Sequence, residues 1–248
     1  MATRSQIGMG LCRRKAAGIL LVVRQMVTMT YELVLGDCLE YMRTMKDKSI
    51  DLIATDPQYG IGADKKNAHS TIRDNRDWDN FNWDSKRPLK LFFDECLRVA
   101  KYCAFWGGNY FADLLPASGA WLVWRKPQAE TGFSLSDAEL CWTNGDFSTR
   151  VITSNRRDGN DHPTQKTIAV MNWTIEKFKL QSGAKIFDPC MGVGTTGVSC
   201  QLLGYDFLGC EIIENYYSIA QKRINNASKQ MPLAPLYKQP QATQAELI

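Results

Sequence analysis

From residue 31 onward the apolar positions of this chain switch repeatedly between a period of two and a period near 3.6. Short apolar runs bounded by turn residues predict strands at 31–35, 50–54, 102–106, 120–125, 138–143, 147–153, 185–187 and 207–210. Helical spacing predicts helices at about 37–45, 88–100, 168–178, 196–203 and 214–224. Leu89, Phe93, Leu97 and Ala100 share one face of the second, and Ile168, Met171, Ile175 and Phe178 one face of the third. Strands alternating with helices predict an α/β fold, a parallel sheet covered by helices. Three strands follow one another between 120 and 153, and Asn144-Gly145 carries the signal of a tight hairpin, so an antiparallel edge is expected there.

The ends of the chain lack this rhythm. An apolar run at 16–23 follows Arg13-Arg14-Lys15, but Arg24 closes it without a small-residue cleavage site, and it is too short to span a bilayer. Residues 1–28 are therefore expected to be an extension outside the fold, 29–228 a single working domain, and 229–248, with its prolines and glutamines, a disordered tail. The net charge of +4 is misleading as a sign of nucleic-acid binding. The first 28 residues carry +5, which leaves −1 for the rest. Eight cysteines form no Cys-x-x-Cys pair and have only His69 and His162 to help them, so no metal site is expected. Scattered through apolar stretches, they fit reduced thiols in a cytoplasmic protein.

Chemistry concentrates in two turns. Asp188-Pro-Cys-Met-Gly192-Val-Gly194-Thr195-Thr196 follows the strand ending at Phe187 and opens a helix, so backbone N–H groups face outward where two residues lack a Cβ. Glu211 ends the next strand, 23 residues beyond Asp188, where a carboxylate can accept both hydroxyls of a ribose. Turn and carboxylate together point to a nucleoside; a plain structural turn and a dinucleotide site are the rival readings. Asp188 at the mouth suits a cationic amino group better than a pyrophosphate, which it would repel.

The second turn, Asp56-Pro57-Gln58-Tyr59-Gly60, ends another strand, and ligands of open α/β sheets gather at such ends. An amine on a base ring is a weak nucleophile because its lone pair is delocalised. Asp56 and the Pro57 carbonyl can accept its two hydrogens and stabilise the charge that develops on methylation. Tyr59 offers a face for a base turned out of its stack. Asp-Pro tetrapeptides are also common turn formers, and the two turns, about 130 residues apart, support each other only if they meet.

With these residues in place the chain resembles the DNA amino-methyltransferases that act on adenine N6 or cytosine N4, across about residues 31–225. Asp56-Pro-Gln-Tyr59 is similar to the family's Asp-Pro-Pro-Tyr loop, His162-Pro-Thr-Gln-Lys166 to its His-Pro-x-Gln-Lys element, and 188–196 to its cofactor loop. Catalytic loop before cofactor loop is the order of the permuted beta group. The resemblance implies a seven-stranded S-adenosylmethionine-dependent methyltransferase sheet with helices on both faces. It implies Asp37 near the cofactor adenine, Glu211 on its ribose, and Thr164, Gln165 and Lys166 near its methionine carboxylate, with His162 in the cofactor shell. Asp at position 56 favours adenine over cytosine. Gln58 departs from the motif, and losing a proline there is expected to loosen the loop.

The expected partner is double-stranded DNA, with a homodimer and a cognate restriction enzyme left open. Lys65, Lys66, Arg73 and Arg76 lie in a stretch rich in tryptophan and aspartate that reads equally as a DNA-contacting lid or a solvated loop. The irregular segment of about 128–160, with Arg150, Arg156 and Arg157, is the candidate for target recognition. A non-catalytic DNA-binding remnant of the same fold and a nicotinamide-dependent oxidoreductase are the competing functions.

Overall fold

The computed structural model describes residues 3–4, 9–16, 19–26, 29–62, 84–127, 136–155 and 166–230. Its centre is a run of parallel strands: β4 (Thr30–Leu35), β5 (Ile50–Thr55), β6 (Ala100–Trp106), β10 (Lys185–Asp188) and β11 (Asp206–Glu211). They lie in the order β4-β11-β10-β5-β6, each parallel to the next. Strands buried on both faces must be apolar throughout, which is why β5 reads Ile-Asp-Leu-Ile-Ala-Thr with only Asp51 half-exposed. Among the described residues five helices cover the sheet: α1 (Cys38–Arg43), α2 (Lys90–Val99), α3 (Ile168–Glu176), α4 (Thr195–Leu203) and α5 (Glu214–Ala227). One core gathers Leu52, Ile186, Phe207 and Trp106 with α3, α4 and α5; the other packs Ile53, Phe105 and Phe187 against α1 and α2. The sheet is thus covered on both faces.

The antiparallel edge exists, but its wiring differs from the hairpin expected at Asn144-Gly145. β8 (Ala138–Thr143) pairs antiparallel with β6 on one side and with β7 (Trp121–Arg125) on the other. Both its edges are taken, so β9 (Arg150–Thr153) crosses over and pairs parallel with β7. Asn144 serves another purpose: its side-chain oxygen accepts the Cys103 N–H at 2.6 Å, tying the turn to β6. Within the segment of about 128–160, the described residues 138–143 form this interior strand.

Among the described residues the sheet has nine strands where seven were implied, because β9 extends one end and a two-residue strand, β1 (Thr3–Arg4), pairs antiparallel with β4 at the other. The stretch expected to stay outside the fold thus contributes backbone to the sheet edge. Its remaining described residues, β2 (Met9–Ala16) and β3 (Ile19–Met26), form a separate antiparallel hairpin. Among the described residues no helix is long and apolar enough to cross a membrane, and no group of His, Cys, Asp or Glu could hold a metal ion.

Candidate functional site

Four adjacent parallel strands each deliver a carboxylate at their carboxyl ends: Asp37 after β4, Glu211 on β11, Asp188 on β10 and Asp56 after β5. All four line one cavity of about 510 Å³, together with Gln58, Lys166, Pro189, Cys190, Gly192, Thr195 and Thr196. Leu39, Phe92 and Met171 supply apolar wall. The two turns therefore share one space despite their separation in the chain.

On the cofactor-loop side each carboxylate is fixed by nearby groups. Asp37 caps α1, accepting the Leu39 N–H at 2.7 Å. Asp188 accepts the Cys190 N–H at 3.1 Å and the Thr196 hydroxyl at 2.6 Å, and burial pushes its carboxyl up to about 6 against those bonds. Glu211 accepts the Gly192 N–H at 2.9 Å through one oxygen and the Ile213 N–H at 2.9 Å through the other. Burial raises its carboxyl too, and each oxygen keeps a second lone pair for a ligand hydroxyl. Gly192 and Gly194 take the left-handed conformation; a Cβ on Gly194 would strike Ala220 at 2.9 Å, so this glycine lets the loop press onto α5. Phe187 lies wholly buried beneath the loop, tilted against Tyr41 at 6.4 Å.

The Asp56 turn is held differently. A residue outside the motif, Asp84, is itself buried and accepts three successive N–H groups, from Tyr59 at 2.7 Å, Gly60 at 2.8 Å and Ile61 at 3.2 Å. The Tyr59 hydroxyl donates to Asp56 at 2.5 Å, and its ring stacks on Tyr110 at 4.9 Å. Gly107, left-handed at φ 75°, leaves room for that ring; a Cβ there would lie 2.1 Å from it. One face of Tyr59 is thus already covered by protein. Pro57 is buried.

Lys166 crosses from the start of α3 into this turn. Its ammonium donates to the other Asp56 oxygen at 2.6 Å and to the Tyr59 hydroxyl at 3.1 Å, and pairs with Glu139 of β8 at 2.8 Å. Glu139 in turn pairs with Lys126, just beyond β7, at 2.6 Å. Against burial, the two ammonium groups hold the Glu139 carboxyl down at about 2. Burial lifts Asp56, opposed by Lys166 and assisted by Glu139.

Among the residues anticipated from the sequence, the structure gathers Asp37, Asp56, Gln58, Lys166, Asp188, Cys190, Gly192, Thr195, Thr196 and Glu211 around the cavity. Lys166, expected beside a methionine carboxylate, lines the cavity and contacts Asp56, Tyr59 and Glu139. Arg150 is exposed at the start of β9 and contributes nothing to the cavity lining. Lys65, Lys66, Arg73, Arg76, Arg156, Arg157, His162, Thr164 and Gln165 lie outside the described residues. Sequence reading missed Asp84, Glu139 and Lys126. Each is a charged residue beside apolar or aromatic positions, a signal of burial, but only the strand register, Trp124 opposite Glu139, shows that two of them meet.

Comparison with known proteins agrees with this construction. Residues 122–222 match the model of the DNA methylase family of N6 and N4 methyltransferases. The chain is 24% identical over 211 residues to YubD of Escherichia coli (strain K12), covering 79% of this chain and 91% of that protein. It is also 24% identical over 246 residues to the Type II methyltransferase M.HinfI of Haemophilus influenzae, covering 76% and 67% respectively. The crystal structure of the M1.HpyAVI–SAM complex superposes with a TM-score of 0.53 at 21% identity, over 79% of this chain and 99% of that one. In sequence the chain is similar to DNA methylases, and in fold to a solved DNA methyltransferase.

Proposed function

We propose that this protein transfers a methyl group from S-adenosylmethionine to adenine N6 in double-stranded DNA. The observation that carries the reading is the shared cavity, in which Asp56 stands beside the loop of Asp188 and Gly192. The cavity suits the cofactor: its volume falls within the ~300–1,000 Å³ of ordinary ligand sites, its walls are apolar, and Glu211 keeps free lone pairs where ribose hydroxyls would sit. When bound, the cofactor supplies an electrophilic methyl group.

The rest is done by the chain. Asp37 and Glu211 hold the nucleoside end, with Pro189, Cys190 and Thr195 forming its bed. Asp56 and the Pro57 carbonyl accept the two hydrogens of the target amine, which localises its lone pair and offsets the positive charge that grows during transfer. An extruded base meets an aromatic wall in which Tyr59 is backed by Tyr110. Arg150, with the basic residues at 65–76 and 156–157, is assigned to DNA contact, and the relationship to a Type II enzyme makes a restriction partner part of the proposal.

Mass spectrometry of nucleosides from DNA incubated with the protein and cofactor tests the assignment, with N6-methyladenine expected. N4-methylcytosine would transfer the same mechanism to the other base. A specific observation favours one further reading: Gln58 replaces a motif proline and both Asp56 oxygens already have partners, as in a weak or inactive relative. Cofactor binding without methylation of any DNA would establish it.

A further inference from the structure

Lys166 poses a problem for the reaction just described. Its ammonium occupies the Asp56 oxygen that a target amine needs, and it is almost fully buried, with 4% of its side chain exposed. A buried ammonium cannot simply be released, because an unpaired charge in the interior is strongly destabilising. It needs a second acceptor within reach.

Glu139 is placed to be that acceptor. Its Oε2 is buried and lies 2.8 Å from the Lys166 ammonium, so the second acceptor is already in contact. Its other oxygen is anchored by Lys126, whose side chain is 8% exposed, so the carboxylate cannot swing away. Lys126, Glu139, Lys166 and Asp56 form an alternating series of charges from the end of β7 to the turn after β5, with no net charge.

We propose that Glu139 is a positioning residue that takes the Lys166 ammonium from Asp56 when the target amine arrives, freeing the Asp56 oxygen for that amine. This rests on the reading of Asp56 as acceptor of the amine hydrogens. The movement needed is a reorientation of one ammonium between two carboxylates it already touches, and the array stays neutral throughout. Glu139 acts on the reaction only through Lys166.

Groups facing Asp56 come from every element around it: Tyr59 from its own turn, Lys166 before α3, Glu139 and Cys141 on β8, and Asp188 on β10. Glu139→Gln keeps the shape of the side chain and removes one negative charge from this set. Lys166 then stays on Asp56, and the Asp56 carboxyl titrates at lower pH.

Steady-state methyl transfer to DNA and carbon-13 titration of the Asp56 carboxyl, assigned with Asp56→Asn, test this on the full chain. In Glu139→Gln, kcat is expected to fall about tenfold with KM for S-adenosylmethionine nearly unchanged, while the acid limb of the pH profile and the Asp56 midpoint both move down. In a Lys166→Met background the same substitution is expected to cost no further turnover. A thermal melt checks that each variant is folded. A merely structural Glu139 would cost as much turnover in the Lys166→Met background as in the wild type. Transfer by the wild type combined with an unmoved midpoint, or an equal loss in the Lys166→Met background, overturns the handover alone. No transfer by the wild type overturns the Asp56 reading and the handover with it.

Discussion

Along β4, β11 and β10, carboxylates are fixed by groups close in the chain: Asp37 by the N–H two residues on, Asp188 by residues two and eight away, Glu211 by one two residues on and one 19 back. Along β5 to β8 the decisive contacts are distant. Lys166 reaches Asp56 across 110 residues, and Asp84 clamps Tyr59 across 25. Backbone donors and the buried Thr196 hydroxyl carry no charge, so the first region is a rigid cradle; around Asp56 the second is held by side-chain charges whose arrangement can be reset. A site that must hold one ligand still while exchanging another gains from having both kinds.

The sharpest way to break this contrast is to remove one carboxylate from each region. Asp56→Ala is expected to lower methyl transfer by about 10²- to 10³-fold, the usual loss when one preorganised group that stabilises developing charge is deleted. Calorimetric affinity for S-adenosylmethionine should stay within about twofold, since Asp56 does not hold the nucleoside. Undiminished turnover would remove Asp56 from the mechanism. Glu211→Ala should do the opposite, weakening cofactor affinity about ten- to a hundredfold, as expected for one or two charge-assisted hydrogen bonds, with kcat preserved at saturation. A loss confined to kcat would mean that the two regions do not divide the work.

Stability against pH separates the regions more gently. Asp188 sits at about 6 in the folded chain, above its ordinary 3.8, so folding binds its proton more tightly. Its contribution therefore improves as pH falls through 6 and is complete near 3.8, by at most ~3 kcal/mol. Glu139, held at about 2 against an ordinary 4.5, works in the other sense: its contribution is present above 4.5 and is lost as pH falls toward 2. Thermal melts between pH 7 and 5 should show stability rising, with the rise abolished in Asp188→Asn. A wild-type melting temperature that falls steadily over that interval would contradict the burial of Asp188 as charged.

The smallest effect concerns Gln58. The loss of a motif proline predicts a loose turn, but Asp84 pins the next three N–H groups. Gln58→Pro should accordingly change kcat by less than about threefold, whereas a large gain would show that φ at this position, and not the Asp84 clamp, limits the geometry.

The legible parts of this molecule are those whose causes are local. Periodicity located the strands of the parallel sheet and all five helices to within a few residues, because each element buries a face that its own spacing defines. The glycine-rich turn is legible for the same reason: glycines, helix start and Glu211 follow one another in a single β-α-β stretch. What stayed hidden depends on pairing. Asn144-Gly145 has hairpin chemistry, yet β8 had both neighbours already, a fact of sheet order that no turn residue encodes. The motif singles out Lys166 but not its pairing with Glu139, and Glu139 and Asp84 stay hidden, since nothing in a strand or a polar loop announces a partner distant in the chain.

The four strand-end acids have a consequence for how such a chain can evolve. They succeed one another in the sequence as Asp37, Asp56, Asp188 and Glu211, but stand side by side as Asp37, Glu211, Asp188 and Asp56. Neighbouring strands are spaced ~4.8 Å apart, so the three gaps form a ruler of about 14 Å whose graduations are set by backbone pairing. A ruler of this kind is indifferent to where the polypeptide is cut and rejoined, provided the strands return to their seats. Relocating the termini would then leave the distance from Asp37 to Asp56 untouched.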